Sequence, residues 1–311
     1  MLDPQARALL DLMVARQVPP THTLSPADAR RFYLERRTVT QPDPPPVGGV
    51  KDLQAQGPSG AIPLRLFEPR QGTWPHPVLV YFHGGGWVIG DRDTHDVLCR
   101  QLCVASGCAV VSVDYRMGPE ARFPAAVDDC HAAVQWLRAQ GAPLGLDTTR
   151  MALGGDSAGG NLAAVTAILM RNAGEAPARL QLLIYPATDM RAVAPSHTHN
   201  GQGYLLTADT IAYFRGHYIA DSALWADWRA SPLLADDLSH LPPALVLTAG
   251  FDPLRDEGRQ YADALSAAGV KTQYVCFERQ IHGFITMGRV IDEALTAVDL
   301  CGASVRRALL G

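Results

Sequence analysis

Lysine is scarce in this sequence, and long apolar runs are absent. Only Lys51 and Lys271 are lysines among the 27 basic residues, and the formal net charge is -4. This mild negative net charge argues against the basic face that nucleic acids require, so we expect no nucleic-acid partner. No stretch reaches the roughly 18 consecutive apolar residues of a membrane-spanning helix. Residues 1–4 also lack a basic segment followed by an apolar one, so we expect a cytoplasmic protein without stable membrane insertion.

The sequence also lacks any Cys-x-x-Cys pair. Its cysteines fall inside predicted helices and strands and are expected to be buried thiols. A metal site is one alternative, because His95, Cys99 and Cys103 share one face of a predicted helix. Structural zinc usually takes a further ligand from another hairpin or loop, so we favour ordinary packing for these three side chains. We therefore predict neither a metal nor a cofactor.

Short apolar strands alternate with helical stretches along most of the 311 residues. This alternation predicts an α/β fold with a mainly parallel central sheet, flanked by helices on both faces. The predicted strands lie at residues 64–67, 78–82, 109–114, 151–154, 182–185, 244–249 and 273–277. With 47% hydrophobic residues, the chain can form one large domain with an appended piece, and two independent domains are not required.

A serine lies at the turn between a predicted strand and a predicted helix, in the segment Gly155-Asp156-Ser157-Ala158-Gly159. Glycines two residues before and after Ser157 permit a sharp, strained bend that exposes the hydroxyl. The following helix directs its N-terminal amides toward an oxyanion formed beside the serine. Ser157 is therefore the predicted nucleophile, and the Ala158 amide is a predicted oxyanion donor. Asp156 is better placed to brace this turn than to transfer a proton.

Three consecutive glycines follow another predicted strand, in the segment His83-Gly84-Gly85-Gly86-Trp87. A backbone without side chains can bring N–H groups close to the negative charge that develops in acyl transfer. We therefore predict Gly84 and Gly85 as further oxyanion donors. A flexible turn or a phosphate-binding loop is the alternative, but the segment has neither dinucleotide-binding glycine spacing nor a Gly-Lys-Ser/Thr ending.

Two later strand ends supply an acid and a histidine. Asp252 lies closest to the end of the strand at residues 244–249, where side chains of open α/β sheets face the ligand site. Asp256 and Glu257 are expected in the first turn of the next helix, where negative charge suits the helix dipole. His282 is expected in the loop after the last strand. The chain order serine, aspartate, histidine is that of an α/β-hydrolase triad, so Asp252 and His282 are predicted to act with the serine.

These motifs together resemble the hormone-sensitive-lipase-like branch of the α/β-hydrolases, a bacterial family of carboxylesterases. The His-Gly-Gly-Gly and Gly-Asp-Ser-Ala-Gly-Gly segments are its hallmarks, and the resemblance covers nearly the whole chain. The other matching segments are Asp114-Tyr115-Arg116, Pro119-Glu120, Phe123-Pro124-Ala125, Tyr185-Pro186, Asp252-Pro253-Leu254-Arg255-Asp256 and His282-Gly283-Phe284. The resemblance implies the α/β-hydrolase fold, with the same triad and oxyanion donors as the local chemistry predicts.

The resemblance also implies a helical cap over the mouth of the active site. Two helices predicted within residues 1–45 would form its first segment. Residues 188–232 would form the second, because the segment after residue 187 is too long for an ordinary crossover. The catalytic core would then comprise residues 46–187 and 233–311, joined to the first helices by a proline-rich tether at residues 41–49.

Side chains around the predicted site receive less specific assignments. Asp114, Tyr115, Arg116 and Glu120 are expected to hold the glycine loop rather than to act in catalysis. For Trp87 and for the aromatic residues of the cap, packing within the protein is an open alternative to a place in the pocket. The residues predicted to line the substrate pocket are Trp87, Tyr185, Phe214 and Ile281.

The sequence thus predicts hydrolysis of carboxylic esters of short to medium acyl chain through an acyl-enzyme. An amidase or acyltransferase would use the same residues. A non-catalytic small-molecule receptor on this fold is the alternative from another class, although plant receptors similar to this family have lost the histidine that His282 supplies here. The expected partner is a small-molecule ester, and a homodimer is an open alternative to a monomer.

Overall fold

The computed structural model describes residues 1–311 and contains eight strands in a single sheet. The sheet order is first, second, fourth, third, fifth, sixth, seventh, eighth. The first strand pairs antiparallel with the second, the second pairs antiparallel with the fourth, and the other neighbours are parallel. The strands are β1 (Gly49–Gly57), β2 (Gly60–Glu68), β3 (His76–Phe82), β4 (Ala109–Val113), β5 (Leu146–Asp156), β6 (Gln181–Ile184), β7 (Ala244–Phe251) and β8 (Thr272–Ile281).

Nine helices accompany the sheet, and a cluster of buried apolar residues lies on each face of the sheet. Successive residues of β3 point to opposite faces, with Val80 in a cluster of 43 buried residues and Leu79 in a cluster of 32. The predicted mainly parallel α/β sheet is confirmed. The helices are α1 (Pro4–Ala15), α2 (Pro26–Thr40), α3 (Asp96–Ser106), α4 (Ala125–Gln140), α5 (Ala158–Asn172), α6 (Pro195–His199), α7 (Ala208–Tyr218), α8 (Arg255–Ala267) and α9 (Glu293–Leu310).

The structure differs from the sequence prediction most at the two edge strands of the sheet. β1 was not predicted, because this edge strand is polar and mostly exposed, and only Ala55 is fully buried in it. Its signal is the short turn between Gly57 and Gly60, which pair across the hairpin. β8 extends to Ile281, so the histidine at position 282 directly follows a strand rather than lying within a long loop.

The first two helices each begin directly after a capping residue. The Asp3 side chain accepts hydrogen bonds from the N–H groups of Gln5 and Ala6, and the Ser25 hydroxyl accepts one from Asp28. Such caps satisfy amides that have no partner inside the helix.

None of the helices combines the length and the apolar composition needed to cross a membrane. All six cysteines are free thiols.

The turn into α5 packs directly against the end of β3. A Cβ atom added at Gly159 would collide with the backbone carbonyls of Phe82 and His83. Those backbone atoms cannot move without displacing the strand, so glycine is required at this position. The close approach fixes the start of α5 relative to the loop that follows β3.

We therefore expect Gly159→Ala to lower the free energy of unfolding by about 1–3 kcal/mol, the usual cost of overpacking. Gly216 provides a matched control, because it is exposed within α7 and an added Cβ would meet no atom within 4 Å. Gly216→Ala should raise stability by about 0.5–1 kcal/mol. Thermal unfolding followed by circular dichroism measures both changes. A Gly159→Ala protein as stable as the wild type would contradict the packing argument.

Candidate active site

Ser157 occupies a strained bend between β5 and α5, with φ 56° and ψ −118°. Few residues other than glycine adopt a positive φ, and such strain persists only where the surroundings enforce it. The Ser157 N–H donates to the Ile184 carbonyl at 2.8 Å, which ties the bend to β6. A Cβ at Gly155 would collide with the backbone of Gly159 and Phe82. The flanking glycine therefore permits the bend, as the sequence predicts.

The serine, histidine and aspartate predicted as a triad form one hydrogen-bonded chain. His282 Nε2 lies 2.9 Å from Ser157 Oγ, and His282 Nδ1 lies 2.7 Å from Asp252 Oδ2. Asp252 is fully buried, and its Oδ1 accepts the Leu254 N–H at 2.8 Å. A carboxylate at Nδ1 selects the tautomer with a proton there, which leaves Nε2 free to accept the serine proton.

The parallel sheet explains why these distant residues meet. Ser157, Asp252 and His282 each follow directly on a strand, namely β5, β7 and β8. The carboxyl ends of parallel strands lie at one edge of a sheet, and side chains just beyond them face a common site. The fold thus converts separations of 95 and 30 residues in the chain into direct contact.

The glycine loop after β3 places its N–H groups in two different directions. The Gly84 N–H donates to Asp156 Oδ1 at 2.9 Å, so it points into the protein. The prediction that Gly84 is an oxyanion donor is therefore wrong, because its N–H is already used. The N–H groups of Gly85 and Gly86 donate to no protein acceptor, and both residues line the cavity beside Ser157. A run of three glycines in the sequence does not indicate which N–H group faces a carboxylate.

Asp156 holds the glycine loop against the serine turn. Its Oδ1 also accepts the Tyr81 hydroxyl at 2.8 Å and lies 3.2 Å from His95 Nε2. Burial alone would raise the pKa of Asp156, but His95 and the Tyr81 hydroxyl hold that pKa below its ordinary value. The group therefore stays a charged acceptor for Gly84. This agrees with the prediction that Asp156 braces the turn.

The alternative metal site does not have suitable ligands. Both ring nitrogens of His95 are hydrogen-bonded, Nδ1 with Thr94 Oγ1 and Nε2 with Asp156. Burial raises the pKa of Cys99 strongly and that of Cys103 to about 12, so both thiols stay protonated, whereas a metal binds the thiolate. No three histidine, cysteine or acidic side chains are arranged to hold a metal ion.

The charged and aromatic residues after β4 divide into two roles. The Tyr115 hydroxyl donates to the His83 carbonyl at 2.7 Å, and the two rings stack at 4.3 Å, so Tyr115 supports the glycine loop as predicted. Arg116 instead forms an ion pair with a carboxylate of α4. Glu120 forms an ion pair with Arg30 of α2. The last pair connects the leading helices to the core, a role that the sequence did not indicate.

A cavity of about 110 Å³ adjoins Ser157. Trp87 and Phe214 lie on its wall, and Trp87 also stacks on Tyr218 at 4.8 Å, so it both packs and lines the cavity. The prediction that Tyr185 and Ile281 line the pocket is wrong. Both are fully buried: the Tyr185 ring lies behind His282 at 4.6 Å, and Ile281 belongs to the 32-residue apolar cluster.

Polar side chains on the cavity wall that sequence reasoning missed connect α8 with the second predicted cap segment. Glu257 Oε1 accepts the N–H groups of Thr188 and Asp189, and its Oε2 lies 2.5 Å from His197 Nε2. Burial raises the pKa of Glu257. The sequence indicated only a helix-dipole role for this glutamate. Its contacts fasten the start of the second predicted cap segment to α8.

The cavity continues outward into a larger apolar groove of about 860 Å³ beside α1 and α2. The cavity and the groove share several wall residues, which mark the mouth of the cavity. These shared residues are Thr21, Tyr33, Arg36, Ile89, Leu205 and Thr210. Helices distant in sequence from the serine therefore form the entrance to the site.

Comparison with known proteins identifies the family. The profile of the α/β hydrolase fold matches residues 79–286. The carboxylic ester hydrolase LipN of Mycobacterium tuberculosis is 45% identical over 266 residues, covering 83% of this chain and 70% of LipN. The ethyl acetate hydrolase of Pseudomonas putida is 39% identical over 301 residues, covering 94% of this chain and 95% of that protein.

Solved structures identify the same family. An ester hydrolase from the metagenome of Lake Arreo, solved in complex with a bipyridine phosphonate derivative, matches with a TM-score of 0.96 at 43% identity. The match covers 99% of each chain. An esterase of Pyrobaculum calidifontis matches with a TM-score of 0.91 at 39% identity over 99% of each chain. The chain therefore belongs to the α/β-hydrolase family, in the hormone-sensitive-lipase-like branch that its motifs predict, and is a carboxylesterase.

Proposed function

We propose that this carboxylesterase cleaves esters of short to medium acyl chain through an acyl-enzyme formed on Ser157. The hydrogen-bonded chain from Ser157 through His282 to Asp252 carries this proposal. His282 takes the serine proton during attack and then gives it to the leaving alcohol. Asp252 keeps the imidazole in its reactive tautomer and stabilises its cation. Water then repeats these steps on the acyl-enzyme.

The N–H groups of Gly85, Gly86 and Ala158 would hold the oxyanion of each tetrahedral intermediate. The first two donate to no protein acceptor and lie on the cavity wall. Ala158 is the first residue of α5, where an N–H has no acceptor inside its own helix. Fixed donors of this kind stabilise the charge that appears only during reaction.

The size of the cavity supports the short end of the proposed acyl range. An engineered cavity of about 150 Å³ accommodates benzene, and the cavity here measures about 110 Å³. Trp87 and Phe214 would limit the acyl group, and the segments 1–45 and 188–232 would act as the cap. The name of the ethyl acetate hydrolase records a short acyl group for that relative, which agrees with this proposal.

The alternatives receive less support. A receptor that only binds its ligand has no need of a histidine hydrogen-bonded to both serine and aspartate, and His282 makes both contacts. An amidase or acyltransferase would use the same side chains, but the named relatives are ester hydrolases. A cytoplasmic location belongs to the same proposal and is supported by the six free thiols.

Ser157→Ala should lower kcat for para-nitrophenyl butanoate by about a million-fold, as triad deletions do. Mass spectrometry after exposure to an aryl phosphonate should show one adduct on the wild type and none on the variant. Ser266→Ala, an exposed change in α8, is the matched control and should retain both activity and labelling. Full activity of Ser157→Ala would overturn the assignment of the nucleophile.

Asp156→Ala should lower kcat by about 100- to 1000-fold with a much smaller change in KM. The variant leaves the Gly84 N–H without its acceptor and releases the neighbouring donors, which act mainly in the transition state. Steady-state kinetics on the same ester separates the two parameters. A rise in KM at unchanged kcat would instead indicate that Asp156 supports only substrate binding.

We also propose that the chain forms a homodimer through β8. This strand is at the edge of the sheet and contains no proline, and its charged residues, Glu278 and Arg279, lie only in its second half. Its Val275 and Phe277 side chains are only partly buried. The opposite edge strand, β1, contains Lys51 and Asp52. Backbone pairing between two copies of β8 would extend the sheet across both molecules.

The wild type should therefore sediment as a dimer of the 33.5 kDa chain. Val275→Arg should shift it toward the monomer, because like charges would face each other across the paired strands. Val50→Arg places the same charge on the β1 edge, where Val50 is 39% exposed, and should leave the dimer intact. A wild type that remains monomeric at tens of micromolar would refute the proposal.

A further inference from the structure

The two ends of the cavity receive different parts of an ester if the mechanism proposed above holds. His282 must reach the oxygen of the leaving alcohol, so the alcohol lies on the histidine side of Ser157. A Cβ atom at the adjacent Gly283 would lie 3.7 Å from Leu205, a residue shared with the outer groove. The alcohol therefore faces the groove, and the acyl group extends toward the inner end.

The inner end is the part of the cavity wall that the outer groove does not share, and it contains one arginine, which has no acidic partner. Arg215 lies on its wall near the end of α7, and no carboxylate is within ion-pair distance of its guanidinium. One nitrogen, Nη1, donates to the Met190 carbonyl at 3.0 Å, and the group lies 3.8 Å from the centre of the Trp225 ring. These contacts fix the position of the guanidinium and leave Nε and Nη2 without protein acceptors.

The acidic groups at the same end are already paired. Asp189 accepts two hydrogen bonds from the Arg191 guanidinium, at 2.9 and 2.8 Å. Glu257 accepts two backbone N–H groups and contacts His197. Neither carboxylate is thus available to Arg215. Burial lowers the pKa of Arg215, and no neighbouring charge acts against this effect. The Arg215 guanidinium at the inner end therefore has no carboxylate partner and keeps free donors.

We propose that Arg215 binds a carboxylate at the far end of the acyl group, so that the enzyme accepts half-esters of short dicarboxylic acids. This inference rests on the proposed acyl-enzyme mechanism. A guanidinium held by stacking presents parallel donors that match the two oxygens of a carboxylate. The anion would in turn compensate a charge that the protein leaves unpaired.

Monoethyl glutarate and ethyl pentanoate test this inference, because they share the alcohol and the length of the acyl chain and differ only in the distal carboxylate. The readout is the ratio of kcat/KM for the half-ester to kcat/KM for the neutral ester, measured in a pH-stat. Arg215→Met should lower this ratio by about 10- to 100-fold, the usual effect of losing a charge-assisted hydrogen bond. Arg215→Lys, which keeps the charge but not the paired donors, should give an intermediate ratio.

Arg229→Met is the matched control. Arg229 belongs to the same chain segment and is paired with Asp227, but it does not line the cavity. Its substitution should leave the ratio unchanged within twofold. Equal ratios in Arg215→Met and the wild type, or a wild type that cleaves only the neutral ester, would overturn the inference. A wild type that cleaves neither ester, nor ethyl acetate, would overturn the proposed function itself.

Inhibition of the wild type provides a measurement that does not depend on folding of a variant. Glutaramate and pentanamide are the amides that correspond to the two test esters, and only glutaramate carries the distal carboxylate. Glutaramate should inhibit ethyl acetate hydrolysis at least tenfold more strongly than pentanamide, by competing for the inner end. Equal inhibition by the two amides, or stronger inhibition by pentanamide, would contradict the role of Arg215.

Discussion

The buried Asp156 carboxylate is the interaction on which the geometry of the site depends. It precedes the serine and accepts the N–H of Gly84, so a single side chain fixes the glycine loop relative to Ser157. Removing a charge from water is costly, and the Tyr81 hydroxyl and His95 offset that cost. The same contact decides which glycines face the substrate, because it turns the first N–H inward and leaves the next two free.

The convergence of the serine, the aspartate and the histidine could be predicted from the sequence because the sheet determines it. Ser157, Asp252 and His282 each follow a predicted strand, and the carboxyl ends of parallel strands meet at one edge. The direction in which a single residue points could not be predicted in the same way. Gly84 and Gly86 look alike in sequence, and only the carboxylate beneath the loop separates them. Ile281 illustrates the same difficulty, because the final residue of β8 turns toward the core.

The contacts of the two predicted cap segments could not be predicted from the sequence. Arg30 of α2 donates to the carbonyls of Val88 and Gly118 and pairs with Glu120, contacts between residues far apart in the chain. Glu257 likewise satisfies backbone amides at the start of the second cap segment. Neither residue lies in a periodic pattern or a motif that predicts its partner. The fold and the candidate site residues could therefore be predicted from local patterns, whereas the shape and charge of the pocket depend on tertiary contacts.

The two predicted cap segments contact the rest of the protein unequally. α1 contributes Leu9 and Leu10 to the 32-residue cluster, and the end of α7 contributes Tyr218 to the 43-residue cluster. By contrast, the cluster that joins α2 to the middle of α7 contains only 6 buried residues. Hydrophobic stabilisation scales with buried apolar area, so the contact between α2 and α7 is the part of the predicted cap that separates at the smallest cost. The mouth of the cavity lies at this contact, so a substrate that enters here leaves the serine bend and the glycine loop undisturbed.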